Sequence, residues 1–298
     1  MRIRLLALVA ACGCGEIAPP SSAVSPRDVA RAGNRDAGDS VRPALDAASR
    51  DAVTVDAAFD ATLDGGPADD ARSDAGSPPC DYRLGEDDVL RIEAEDLPLV
   101  ESWSVQSEVS GFSGRGYAVW TGRSHNNDPG HGFMALRLRI PRAGRYRLQW
   151  RNRIGKGTEP TEHNDTWVRF SDADDYYGKR GPADDESRRY PEPICKDAEF
   201  IGRIRAVDGV SAARCAAGST KRGWMKVYSS GARDWKWSTR TSDHDAHDIH
   251  VEYGAAGVYT LELSARADFH LIDRIVLHEE SVAQSTVEAE GPTTPCVR

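Results

Sequence analysis

From residue 89 onward the chain alternates apolar and polar residues with a period of two, the pattern of strands with one buried face. Val89 to Glu95 alternates through Leu90, Ile92 and Ala94. Phe133 to Ile140 alternates through Met134, Leu136, Leu138 and Ile140 against Arg137 and Arg139. Pro141-Arg-Ala-Gly144 reads as a turn, and Tyr146, Leu148 and Trp150 alternate on a return strand, so a hairpin is predicted here. Thr166–Phe170, Trp224–Tyr228, Ile249–Tyr253, Val258–Leu263 and Leu271–Leu277 read as further strands, with Gly254-Ala-Ala-Gly257 joining two of them. No amphipathic helix of ten or more residues is predicted. Many short strands separated by turn residues argue for an all-β fold, an antiparallel β-sandwich. Residues 171–222 break the pattern with Ser171-Asp-Ala-Asp-Asp175, Pro182, Pro191 and Pro193, and are expected to form a long loop insertion.

The chain before residue 80 has a different composition. From Gly15 to Pro79 there are twelve acids against six arginines, and Phe59 is the sole aromatic residue. Recurrent Asp-Ala pairs make the stretch low in complexity, and it has too little apolar surface to offset chain entropy. A disordered tether over 12–79 is expected; as a flexible coil it would span roughly 45 Å. Arg2 and Arg4 followed by the apolar Leu5–Ala11 read as a signal peptide over 1–11. Val9-Ala10-Ala11-Cys12 resembles the bacterial lipobox, which implies cleavage before Cys12 and a lipid on that cysteine, with Cys14 as the weaker alternative. Gly13 after the anchor, rather than Asp, implies sorting to the outer membrane by the same resemblance. The apolar run is shorter than the about 20 residues that a spanning helix requires, so membrane contact is expected through the lipid alone. The formal net charge of −9 gives nucleic-acid binding no electrostatic basis.

Four more cysteines remain, and no CxxC spacing among them suggests zinc. Cys80 stands where the tether ends and Cys296 stands next to the end of the sequence. Termini of one domain often lie close together, so Cys80–Cys296 and Cys195–Cys215 are the expected pairs within a domain spanning 80–298.

Short motifs in the folded part carry a resemblance. Ile92-Glu-Ala-Glu95, Gly111-Phe-Ser-Gly114, Gly116-Tyr117, Gly144-Arg-Tyr-Arg-Leu148 and Leu271-Ile-Asp-Arg-Ile275 occur in the order seen in family-6 and family-35 carbohydrate-binding modules, which this region resembles over about 88–278. The resemblance implies a jelly-roll β-sandwich that binds a polysaccharide or other glycan without catalysis and holds a structural calcium. It assigns the calcium to Glu93, Glu95 and Asp273. Side chains two apart on a strand share a face, so the first two acids would repel unless solvated or bridged by a cation; a solvated acidic face is the alternative. In the family an asparagine stands two residues before the closing aspartate, where this chain has Leu271, with His270 as a partial substitute.

Sugar recognition combines flat apolar walls with a few convergent polar groups. Trp235 and Trp237, flanked by Arg233, Asp234 and Lys236, are the surface aromatic candidates; Asn164, Asp165, His247, Asp248 and Trp120 are the expected partners. Trp150 and Trp167 are expected in the core. The run Asp243, His244, Asp245, His247, Asp248, His250 raises a metal-dependent hydrolase as an alternative, but no HExxH, GxSxG or P-loop pattern occurs, so no enzyme is expected. An envelope adhesion or structural domain with a protein ligand is the other alternative.

Overall fold

The computed structural model describes residues 80–181, 185–209, 214–229, 231, 233–242 and 244–297. The signal peptide, the Cys12 anchor, the 12–79 tether and Asp243 lie outside the described residues. In chain order the strands are β1 (Asp81–Arg83), β2 (Val89–Glu93), β3 (Trp103–Gln106), β4 (Tyr117–Trp120), β5 (Met134–Ile140), β6 (Gly144–Ile154), β7 (Asp165–Arg169) and β8 (Asp175–Lys179). They continue with β9 (Arg189–Tyr190), β10 (Arg214–Cys215), β11 (Met225–Tyr228), β12 (Lys236–Trp237), β13 (Asp248–Tyr253), β14 (Gly257–Ser264) and β15 (His270–Glu279). Two helices are described, α1 (Ala198–Asp208) and the short α2 (Gln284–Glu288).

The strands form two sheets, ordered β1-β5-β14-β7-β11 and β10-β9-β8-β13-β6-β15-β4-β3, with β2 and β12 paired to β15 and β6. The fold is a β-sandwich, mostly antiparallel, with β1 on β5 and β10 on β9 as parallel pairs. Between the sheets lie Leu136, Leu138, Leu148, Trp150, Val168, Ile249, Val251, Leu261, Ile275 and Leu277, all buried.

β5 has the predicted alternation, with Met134, Leu136, Leu138 and Ile140 buried and Arg137 and Arg139 exposed. The predicted hairpin to the next strand does not form. β5 pairs with β1 and β14, whereas β6 pairs with β13 and β15, so Pro141-Arg-Ala carries the chain from one sheet to the other. Gly254-Ala-Ala does the same between β13 and β14. Alternation fixes which side of a strand is buried but not which strand lies beside it, so an arch between sheets and a hairpin within one read alike.

The described part of 171–222 is more ordered than a loop. It contributes β8 to the large sheet and contains α1, an 11-residue helix where none was predicted. Asp197 caps its start through a hydrogen bond from Phe200 N, and Gly209 ends it with φ 69°. Cys195–Cys215 closes the segment with Cα atoms 5.0 Å apart, and Cys80–Cys296 joins the two ends of the domain at 5.2 Å, both as predicted. The insertion and α2 cover the face of the large sheet turned away from the small one. Tyr177, Tyr190, Cys195 and Ile204 pack in one cluster there, and Val89, Val276 and Val287 in another. β15 is consequently buried on both faces from His270 to His278.

Candidate functional site

Three features of the sandwich gather the candidate residues. The first gathers the predicted acids. β2 ends at Glu93, and Glu95 lies in a 3-10 turn over Ala94–Asp96, so the two do not share a strand face as expected. They nevertheless meet at one loop. Ser113 N donates to Asp273 Oδ1 at 2.8 Å, Ser113 Oγ donates to Glu93 Oε2 at 2.8 Å, and Arg115 N donates to Glu95 Oε1 at 2.6 Å. Gly114, at φ 61°, has to be glycine on steric grounds as well, since a Cβ there would collide with the Glu95 carboxylate.

All three acids are buried. Glu93 is ion-paired with Arg274, and Asp273 with Arg151. Glu95 Oε2 is buried without a hydrogen-bond partner. Burial pushes the Glu95 carboxyl above the usual carboxylate range, against the hydrogen bond from the Arg115 amide. Burial likewise raises that of Asp273, against its bond with Arg151. Among the described residues no group of three His, Cys, Asp or Glu side chains converges tightly enough to hold a metal ion by itself.

The second feature is an aromatic platform on the outward face of the large sheet. Partly exposed Trp235, Phe112 and Phe269 sit over buried Tyr117, Val119 and Leu271. The Trp235 ring is 5.3 Å from that of Tyr117, and its Nε1 donates to Ser110 O at 2.9 Å, which fixes the plane of the indole. Arg151 and Arg153 place their guanidinium carbons 5.5 and 5.7 Å from its centroid, and Lys156 Nζ lies 4.9 Å from that of Phe269. These cations come from the outward positions of β6 and the residues after it. Leu271 is 2% exposed, so the position of the family asparagine is apolar floor here. His270 is fully buried between Thr166 and Asn152 and offers nothing to a ligand.

The third feature is polar. Asp165, the first residue of β7 in the small sheet, and Asn164 just before it are buried at the floor of a cavity of about 180 Å3, lined also by Ser124, His163, Lys226 and Arg266.

The expected ligand residues are thus spread over several places. Trp237 is near Trp235 in sequence but packs with Val89, Val276 and Val287. Trp120 is in the core, its Nε1 donating to Arg123 O. His247 is buried, with Nδ1 against Asp245 O at 2.7 Å, and Asp248 is ion-paired with Arg147 at 2.9 Å. Trp150 and Trp167 are buried as expected. Arg153, Phe112 and Phe269 were not foreseen. The alternation of Arg145, Arg147, Arg151 and Arg153 along one face of β6 was the available signal for the first.

No family model matches the sequence, and no curated protein matches it. Among solved structures the chain is similar to a GH26-CBM35 β-(1,4)-mannanase of Podospora anserina, at 12% identity and a TM-score of 0.36 over 69% of this chain and 29% of that one. This chain therefore spans less than a third of the mannanase. It is also similar to a CBM35 of Cellvibrio japonicus, at 16% identity and a TM-score of 0.33 over 65% of this chain and 96% of that one. A family 35 carbohydrate binding module of Clostridium thermocellum matches at 15% identity and a TM-score of 0.33, over 63% and 96% of the two chains.

Proposed function

We propose that the sandwich is a non-catalytic carbohydrate-binding domain whose ligand stacks on Trp235. The observation that carries this reading is a partly exposed indole, held in plane by Ser110 and bordered by Phe112 and two arginines. Rigid aromatic faces stack on the C–H side of a sugar ring, and guanidinium groups donate to its hydroxyls and ring oxygens. Arg153 lies over Trp235 and donates through Nε to Ile154 O at 3.5 Å; among the described residues it has no ion-pair partner, so its terminal nitrogens can donate to a ligand. Affinity electrophoresis through a panel of soluble polysaccharides tests the reading. Trp235→Ala is expected to weaken retention at least tenfold while leaving the melting temperature within a few degrees. Equal retention by a folded variant would discard the platform, and no retention by the wild type on any glycan would discard the function.

We further propose that calcium is held at Glu95, with Glu93 and Asp273 completing an oxygen-donor set. Calcium takes 6–8 oxygen ligands and no nitrogen or sulfur, which suits three carboxylates and loop backbone. In support, Glu95 Oε2 is buried with no partner, and burial makes the ionised forms of Glu95 and Asp273 costly. A raised carboxyl pKa favours the fold at low pH and is a burden once the pH rises through it; a bound dication reverses that burden at neutral pH. Calcium, binding only the folded chain, is expected to raise the melting temperature at pH 7, and the increment is expected to shrink as the pH is lowered toward 5. Thermal melts with calcium or with chelator at the two pH values check this. Identical melts at pH 7 would leave the acids paired only with Arg274, Arg151 and the loop amides.

The N-terminal motif supports an envelope location, with a lipid on Cys12 and the domain displayed at the outer membrane on its tether. Palmitate labelling that disappears in Cys12→Ser is the expected result; labelling that persists would point to Cys14.

A further inference from the structure

The polar cavity at the head of β7 has a chemistry unlike that of the Trp235 platform. Its floor is Asp165, 3% exposed, ion-paired through Oδ2 with Arg266 and 3.7 Å from Lys226 Nζ. The other carboxylate oxygen, Oδ1, is buried and has no hydrogen-bond partner, and the same holds for Arg266 Nε. A buried polar atom without a partner costs about 1–3 kcal/mol, more for a charged group, so an unused acceptor and an unused donor on one ion pair call for an occupant.

The occupant's chemistry is constrained. A carboxylate or phosphate would meet Asp165, and a metal ion or ammonium would meet Arg266 and Lys226. Adjacent hydroxyls avoid both conflicts, because each is donor and acceptor together. One can donate to Asp165 Oδ1 while its neighbour accepts from Arg266 Nε.

The rim is held in place before any ligand arrives. Asp268 accepts from Ser124 Oγ at 2.8 Å and from Lys156 Nζ at 2.9 Å, and His163 Nδ1 stands 2.8 Å from the same carboxylate. Asn164 Nδ2 donates to Ser229 O at 3.2 Å, which orients the amide at the floor. Fixed polar groups lose less entropy on binding, which favours affinity for a small ligand. At about 180 Å3 the cavity is smaller than the roughly 300–1,000 Å3 of sites for drug-sized molecules, and has room for one ring, not a chain.

We propose that this cavity is a second binding site, taking the vicinal diol of a single sugar ring between Asp165 Oδ1 and Arg266 Nε. It extends the carbohydrate reading to another part of the fold, and the two sites fail independently. The test is an NMR titration of the full chain with D-galactose, D-mannose and D-xylose, and with acetate and glycine as a plain anion and a zwitterion. At least one sugar is expected to move the amides of Thr161 to Asp165, and its 2-deoxy analogue to bind more weakly if that hydroxyl belongs to the bound diol. Thr161 is exposed at the mouth, so Thr161→Trp is expected to block entry and lower affinity at least tenfold without touching the core. Asp165→Asn is expected to do the same, and the Thr161 variant decides the matter should loss of the buried charge unfold the chain. Trp235→Ala is expected to leave these shifts in place. The proposal is overturned if no sugar moves the amides, if Thr161→Trp binds as the wild type does, if acetate or glycine binds in preference, or if the shifts vanish with Trp235.

Discussion

Acidification from pH 6.5 to 4 is expected to remove most of the stability of the sandwich, because three buried histidines cannot take up protons while it is folded. Burial pushes His270 and His250 down to about 3 and His278 to about 4, from an ordinary value of 6.5. Their surroundings suit the neutral ring. His278 Nε2 is 2.8 Å from Gln149 Nε2, a donor, and its Nδ1 is 2.8 Å from Glu279 O, an acceptor. His270 has Thr166 Oγ1 at 2.8 Å on one nitrogen and Asn152 Oδ1 at 3.0 Å on the other. A depressed histidine pKa gives stability that is present above pH 6.5 and is lost as the pH falls toward the folded value, since the unfolded chain binds the proton first. Each such group contributes about 1.4 kcal/mol per pH unit, so three give a slope of about 4 kcal/mol per unit between roughly pH 5.5 and 4. Against a total stability of about 5–15 kcal/mol for a typical domain, that slope dominates. Glu95 and Asp273 work in the opposite sense, their raised values favouring the fold on acidification, but they are two against three. Urea unfolding at pH 7, 6, 5 and 4 measures the slope, and His278→Gln is expected to flatten it by about a third. A midpoint unchanged from pH 7 to 4.5 would contradict the burial of these rings in neutral form.

Much of this arrangement was legible in the sequence where it depended on local pattern. The buried set of β5 and the core tryptophans Trp150 and Trp167 follow from alternation, and the two disulfides from where the cysteines stand. Glu93, Glu95 and Asp273 were singled out through the family resemblance, and Ser113 and Arg115 do bring them to one loop. Partnership between distant strands leaves no such mark. Asn164 and Asp165 stand at the start of a strand of the small sheet, whereas Trp235, Trp237, His247 and Asp248 border the large one, so the expected single groove divides once the strands are assigned. Helix α1 escaped notice for a related reason. Its caps Asp197 and Gly209 were readable, but only Ile204 among its described side chains is fully buried, too thin an apolar stripe to set a 3.6-residue period.

The outer disulfide is expected to have the larger effect of the two on stability. Cys80 and Cys296 are 216 residues apart, and loop-closure entropy in the unfolded chain predicts about 5 kcal/mol for that bridge, against about 3 kcal/mol for the separation of 20 between Cys195 and Cys215. The folded state adds a local argument. Beside the bridge, Asp81 N donates to Val297 O at 2.8 Å and Val297 N to Asp81 O at 3.0 Å, while Asp81 is ion-paired with Arg137 at 2.8 Å and also with Arg139 on β5. Further back, Thr294 N donates to Arg91 O at 2.7 Å, and Arg91 donates to Thr286 O at 2.7 Å. The bridge therefore holds the C-terminal segment against β1 and β2, and with it the covering of Val89 and Val276 by Val287. Cys80→Ala with Cys296→Ala is expected to lower the denaturant midpoint strongly and to speed amide exchange in β1 and residues 289–297 together. Cys195→Ala with Cys215→Ala is expected to cost less and to speed exchange chiefly around α1 and β10. Equal losses from the two double variants, or faster exchange at only one end of the outer bridge, would show that the ends are held by their hydrogen bonds and not by the covalent link.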